Sequence, residues 1–296
     1  MNAAREFVGD MAEQISMPDI YVAIRDLLLN SGTRIDDFVE VVERDSMLAL
    51  RVMRMAQSQY FGFPRKCESL YQAISLIGLM QLHDLLLGLL CMRTFSAIPE
   101  EVLNLKAFWR YNVQCGIAAR TIGQYARNDG HHVFFTLGLL HEIGHAAMFL
   151  KAPEDSLRAL DDSQSEYRKL AEAEREYLGF DYGQAGAELM RLWHLPPVYR
   201  QVAACHLDPA TARDEFRPAV NVVHLAHSIC QDPRNGDHGQ LISDCIEQAP
   251  EFSRLPENIA AIIVDEIEAH TDPVLSLFWP RGAQNLTMHP GGRTDA

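Results

Sequence analysis

A chain of 296 residues with 48% hydrophobic content can bury a substantial core, as one large domain or as two coupled subdomains. Its 26 Lys and Arg stand against 40 Asp and Glu, a formal net charge of -14 that repels phosphate backbones and anionic lipid. No local basic patch offsets that charge, so neither direct nucleic-acid binding nor membrane-surface binding is expected.

The first residues, MNAAREFVGDMAEQ, carry acidic groups and no apolar core ahead of a cleavage site, unlike a secretory signal. Residues 6–15 read as a short amphipathic helix. Met17-Pro18-Asp19 is a break and a new start, and residues 20–29 carry Ile20, Ala23, Ile24, Leu27 and Leu28 at helical spacing. Ser31-Gly32-Thr33 ends that helix. Residues 36–43 turn Phe38, Val39 and Val42 to one side, and Asp45 or Ser46 is placed to cap a helix with Leu48, Val52, Met55 and Ala56 as its stripe. Tyr60-Phe61-Gly62-Phe63-Pro64 breaks it. Residues 69–90 are helical again, in two pieces loosened at Gly78 and Gln81. The apolar run 74–90 is interrupted by Gln81, His83 and Asp84 and falls short of a membrane span. Met47, Met53, Met55 and Met80 are expected in the core.

After the turn at Ile98-Pro99-Glu100-Glu101 a second helical region begins, with a long helix over 108–125 carrying Trp109, Val113, Ile117, Ala118 and Ile122. Residues 163–178 predict a charged helix with Leu170, Ala173 and Tyr177 inward and its Glu residues, Glu174 among them, on a solvated face. Helices over 183–193, 199–206, 218–230 and 256–270 follow, with turn residues at 233–239. Residues 280–296, rich in Pro, Gly and polar types, read as a disordered tail. No stretch alternates with period two, so the fold class is all-α. Six cysteines, at 67, 91, 115, 205, 230 and 245, form no C-x-x-C pair, which suits reduced, mostly buried thiols in a cytoplasmic protein.

The stretch 134–149, FFTLGLLHEIGHAAMF, surrounds possible metal ligands with apolar helix formers. His141-Glu142-Ile143-Gly144-His145 spells H-E-x-x-H, and a helix would put both imidazoles on one face to hold zinc, with Glu142 as general base. The extended form fails, because Met148 and Lys151 stand where Gly and a third His belong. A downstream Glu ligand would come from Glu166, Glu172, Glu174 or Glu176, on the charged helix. A rival reading takes His141-Glu142 alone as a variant of the His-Asp pair of metal-dependent phosphohydrolases.

The chain as a whole resembles the HDOD family, regulatory modules related to the catalytic HD and HD-GYP phosphohydrolases. Met17-Pro18 resembles the family's early Leu-Pro, and residues 41–56 with Asp45, Leu48 and Arg54 its Asp-containing helix. Ser69-Leu70, Ala73-Ile74 and Leu76-Ile77-Gly78 follow its next landmarks, as do Gly138-Leu139-Leu140-His141-Glu142-Ile143-Gly144, Leu178-Gly179, Gly186-Ala187 and Trp193-His194-Leu195-Pro196. The joint order over residues 15–230 carries the resemblance. It implies an N-terminal helical bundle over 1–98 abutting an HD-like helical subdomain over 99–279.

The resemblance also implies a degenerate site. A working HD hydrolase gathers an early His, the His-Asp pair, further His residues and a late Asp around divalent metals. Here the early position is Tyr111, the pair is His141-Glu142, Tyr182 stands where relatives often have His, the His-His pair reads Cys205-His206, and the late Asp falls at His227. No catalytic residue and no cofactor is therefore expected. If a residual divalent metal is held, its candidate ligands are His141, Glu142, His206 and His227, with His145 or His224 nearby and Cys205 also suited to zinc. The resemblance implies a non-catalytic role in bacterial signalling through protein partners or a small ligand, with cyclic-dinucleotide pathway components among the partners. The alternatives are a metal-dependent phosphohydrolase acting on nucleotides and, further off, a zinc protease.

Overall fold

The computed structural model describes residues 3–62, 67–126, 132–163, 166–231, 242–243, 245–246 and 249–279. The predicted tail at 280–296, the turn residues at 233–239 and Phe63-Pro64 lie outside the described residues.

Among the described residues every regular element is helical and no strand forms. The first part comprises α1 (Ala3–Asp10), α2 (Asp19–Leu29), α3 (Ile35–Glu43), α4 (Ser46–Ala56), α5 (Leu70–Ile77) and α6 (Leu79–Thr94). The second comprises α7 (Leu105–Tyr125), α8 (Val133–Leu140), α9 (Ile143–Lys151), α10 (Pro153–Asp162), α11 (Tyr167–Leu178), α12 (Tyr182–Leu192), α13 (Pro197–Cys205), α14 (Arg217–Gln231) and α15 (Ile259–Phe278).

Local chemistry sets many of the boundaries. Asp45 caps α4, its carboxylate accepting from the backbone N–H of Met47 at 3.1 Å and Leu48 at 3.0 Å. Ser69 does the same for α5 and Asn104 for α7. At Gly78 the backbone enters the left-handed half of the map, φ 82°, and the chain turns by 104° between α5 and α6. The run 74–90 is therefore folded into a corner.

The long helix α7 lies at the centre, packed against α8, α14 and α15, while α12 packs against α13, α9 and α1. One hydrophobic core runs from Val8 to Phe278, and the turn between α6 and α7, where the sequence places a boundary between two helical parts, lies within it. The stretch Val133–Lys151 is long and apolar enough to cross a membrane, and 89% of it is buried inside this core.

Four local expectations need correction. α10, opened by Pro153 with Glu154 and Asp155 in its first turn, fills a stretch to which the amino-acid pattern assigns no element. The charged helix begins at Tyr167 and buries Leu170, Ala171 and Glu174 in place of Ala173 and Tyr177. α15 continues through Pro273 to Phe278. Met55 is buried as expected, but Met47 is 56% and Met80 60% exposed, each standing on the outer face of its helix.

Candidate functional site

The regular helix stops at Leu140 and resumes at Ile143, leaving His141 and Glu142 at the junction of α8 and α9. Close backbone contact on either side holds the junction in place. A Cβ added at Gly138 would lie 2.5 Å from the Cys115 carbonyl oxygen on α7, and one at Gly144 would lie 1.9 Å from the Tyr182 carbonyl oxygen on α12. Only glycine lets α8 come this near α7, and α9 this near α12.

From that junction the His141 imidazole lies 2.7 Å, through Nδ1, from the Gly138 carbonyl, to which it donates. Its Nε2 is 3.0 Å from Nδ1 of His227 on α14. The Glu142 carboxylate oxygen Oε1 lies 3.5 Å from His227 Nδ1 and 3.8 Å from His141 Nε2, and no hydrogen-bond donor reaches it. His206, the residue closing α13, gives its Nδ1–H to the Ala203 carbonyl at 3.0 Å, and its Nε2 is 3.1 Å from the Tyr182 hydroxyl. His141, Glu142, His206 and His227 are 0%, 3%, 1% and 1% exposed, and one donor atom from each lies within 4.8 Å of all the others. All four residues named as candidate ligands from sequence are therefore brought together.

His145 is not part of this set. The backbone bond at the junction is a tighter one, from His145 N–H to the Glu142 carbonyl at 3.0 Å, and the His145 ring turns to Glu174 at 3.2 Å and stacks on Tyr182 at 3.9 Å. The H-E-x-x-H geometry therefore does not form. Glu174, expected on a solvated face, is 2% exposed and also accepts the Tyr182 backbone N–H at 2.8 Å. His224 turns away, donating to the His206 carbonyl at 2.6 Å.

Burial decides the charge state of the cluster. It pushes His141 and His227 well below the usual histidine range and His206 down to about 4, so all three rings are neutral at pH 7. Burial likewise lifts Glu142 to about 7, with the neighbouring His145 opposing and Glu174 adding to the rise. For His145 burial acts downward, but the Glu174 carboxylate prevails and its value is raised.

Two tyrosines roof the cluster. The Tyr111 hydroxyl is 3.1 Å from His227 Nδ1, its ring stacks on Tyr167 at 6.0 Å, and the Tyr167 ring lies 4.8 Å from that of His227. On the far side of His227, Nε2 is 2.7 Å from the Gln231 amide. The sequence reading missed Tyr167 and Gln231. Gln231 was findable, since it stands four residues beyond His227 on one helix face. Three imidazole nitrogens and one carboxylate oxygen form a donor set that suits one small divalent transition metal. A groove bordered by Arg168, Arg175, Asp181 and His224 opens beside His206, the one member of the cluster that lines it.

In amino-acid sequence the chain is 24% identical over 225 residues, 74% of its length, to an uncharacterised protein of Treponema pallidum (strain Nichols), and the match covers 43% of that relative. The chain thus spans less than half the length of that protein. In fold it is similar to an HDOD domain protein of unknown function from Geobacter sulfurreducens, with a TM-score of 0.74, 20% identity, and 94% of this chain and 97% of that one covered. It is also similar to a Marinobacter aquaeolei VT8 structure named as a candidate signal transduction protein, with a TM-score of 0.68, 19% identity, and 92% and 60% of the two chains covered. The HDOD domain family model matches residues 15–209, more than half of the chain, and the protein belongs to the HDOD family.

Proposed function

We propose that this protein is a non-catalytic regulator in bacterial signalling that works by binding protein partners, components of cyclic-dinucleotide pathways among them. The observation that carries the reading is the Tyr111 side chain. It stands where a catalytic relative is expected to have its early imidazole, and its hydroxyl closes onto His227 at 3.1 Å. Together with Tyr167 it occupies the space over the histidines, and the four polar residues beneath are at most 3% exposed. From this side a phosphate ester reaches them only by displacing both rings. The likeness in fold to a structure named as a candidate signal transduction protein is in keeping with this role.

The competing reading is a metal-dependent phosphohydrolase acting on nucleotides, and one assay separates the two. Wild-type protein and Glu142→Gln are incubated with nucleoside phosphates and cyclic dinucleotides in the presence of Mn²⁺ or Mg²⁺, and phosphate release is followed. The regulatory reading expects no release above the protein-free blank in either. Turnover in the wild type that disappears in Glu142→Gln would overturn it.

A further inference from the structure

The buried cluster has a use that does not require catalysis. We propose that His141, Glu142, His206 and His227 form a mononuclear, four-ligand site for a zinc-class divalent transition metal, which fastens the α8–α9 junction to α13 and α14.

Four observations carry this. The first is spacing. Ligand atoms about 2.0–2.1 Å from a tetrahedral metal lie roughly 3.3 Å from one another. The separations here are 3.0 Å for His141 Nε2 to His227 Nδ1, 3.5 Å for His227 Nδ1 to Glu142 and 3.8 Å for His141 Nε2 to Glu142, with a His206 nitrogen within 4.8 Å of all three. The second is orientation. The Nδ1–H groups of His141 and His206 are taken by the Gly138 and Ala203 carbonyls, which fixes both neutral rings with an Nε2 lone pair facing inward. Backbone carbonyls commonly hold metal-bound histidines in this manner. The third is Glu142 Oε1, buried and without any donor, an arrangement that is costly unless something positive meets it. The fourth is His227. In the metal-free protein its Nδ1–H donates to His141 Nε2. Coordination at Nδ1 moves that proton to Nε2 of the same ring, where Gln231 lies at 2.7 Å and can present its amide carbonyl.

With all four positions supplied by the protein, the metal keeps no open site for water or substrate, which is the arrangement of a structural centre. The inference therefore stands whether or not the signalling partner of the previous section is found. Two phenols border these ligand atoms: the Tyr182 hydroxyl donates to the lone pair of His206 Nε2, and the Tyr111 hydroxyl accepts from the His227 Nδ1–H, each 3.1 Å away. They hold the rings in register when no metal is bound, and they turn aside when it binds.

The test is Co²⁺ titration of full-length, chelator-treated protein, followed by optical absorption, with Zn²⁺ then used to displace the cobalt. The expected result is one Co²⁺ per chain with the intense visible bands of tetrahedral cobalt, lost on adding one Zn²⁺. Melting temperature should rise with Zn²⁺ concentration. Glu142→Gln keeps the shape of the site and is expected to fold, yet to bind with an affinity lower by more than the roughly 10- to 100-fold that loss of an outer partner costs. His227→Ala should abolish the tetrahedral bands. Tyr182→Phe, which removes a competitor for the His206 lone pair, should bind at least as tightly as the wild type, and the exposed His194→Asn should be unchanged. No cobalt bands, bands typical of six-coordinate cobalt, or binding that survives unaltered in Glu142→Gln and His227→Ala would each overturn the proposal and leave the cluster a hydrogen-bonded histidine network.

Discussion

The sharpest test of the architecture is Gly144→Ala. The added methyl carbon would sit 1.9 Å from the Tyr182 carbonyl oxygen, 2.7 Å from the Gly186 nitrogen and 2.8 Å from the Tyr182 carbonyl carbon. Carbon and carbonyl oxygen do not ordinarily approach closer than about 3.3 Å, so α9 and α12 must separate by roughly 1.4 Å. Both obstacles are backbone, so no side chain can rotate to relieve them. A radial gap of about 0.5–1 Å already forfeits a quarter to a half of the dispersion well. The contacts at stake are those of Ile143, Ala147, Tyr182 and Ala185, all at most 1% exposed. Overpacking of a tight core ordinarily costs about 1–3 kcal/mol, and a backbone clash on both sides puts this one at about 3 kcal/mol or more. The assay is urea unfolding followed by circular dichroism, with a fall in midpoint of about 1 M at a slope near 3 kcal/mol/M. Gly9→Ala is the matched control, because nothing lies within 4 Å of its added methyl. It should leave the protein as stable as before or better by up to about 1 kcal/mol. A Gly144→Ala protein that unfolds within about 0.5 kcal/mol of the wild type would refute the close crossing of α9 and α12.

Asp45→Ala removes the cap of α4 and the partner of Arg93 at 2.8 Å, and should lower stability by about 1 kcal/mol in the same unfolding assay. Gly78→Ala meets no atom within 4 Å, yet at φ 82° it should still lose about 1–2 kcal/mol, since the penalty is conformational. Glu188, 3.1 Å from Arg5 and paired with Arg191, has its carboxyl held below the usual range: burial acts upward, but hydrogen bonds from the two guanidinium groups prevail. A depressed carboxyl stabilises the fold above its unfolded value and loses that contribution as pH falls through the folded one. Arg5→Ala should therefore be less stable than the wild type at pH 7, by up to about 1 kcal/mol, with the difference shrinking toward pH 3 when melts are compared across that range. Tyr199→Phe strips a 2.9 Å hydrogen bond from the buried Asp84 carboxylate and should cost about 1–3 kcal/mol. Combined with Glu142→Gln it should depart from additivity by more than about 0.5 kcal/mol, measured as a double-mutant cycle.

Much of this was legible in the sequence because helix starts and helix stripes are local. Asp45, Ser69 and Met17-Pro18-Asp19 announce their helices from side-chain and backbone chemistry alone, and Leu48, Val52, Met55 and Ala56 fall on one face by spacing. The candidate ligands were legible for a different reason: His141, Glu142, His206 and His227 occupy landmark positions in a familiar order. What spacing could not supply was direction at a helix break. His141 and His145 are four apart, but the interruption at Glu142 sends one ring to His227 and the other to Glu174. The burial of Glu174 was hidden for a related reason, since its neighbours Glu172, Arg175 and Glu176 are exposed and a charge-rich helix gives no sign of which carboxylate faces in. Met47 and Met80 failed the other way, because an apolar residue carries no mark of whether its face is covered.

Burying three imidazoles and a carboxylate in a predominantly apolar core is expensive, and apolar replacements of buried ionic groups are often neutral or stabilising. What such groups offer in return is direction: a hydrogen bond or a coordinate bond forms in one register only, whereas apolar contacts tolerate sliding. The cluster draws on α7 through Tyr111, on the α8–α9 junction, on the end of α13 and on α14. A second buried network lies across the molecule, where the Tyr21 hydroxyl meets His83 at 2.9 Å, His83 meets Asp84 at 3.1 Å, and the Tyr199 hydroxyl donates to Asp84 at 2.9 Å. It joins α2 and α6 to the start of α13. Tyr199 and His206 are seven residues apart, about two turns and roughly 10 Å along a helix. α13 therefore has one polar network near each end, and a rigid helix cannot shift at His206 without moving Tyr199. A displacement at the histidine cluster is in this way tied to the packing of α2 and α6 against α13.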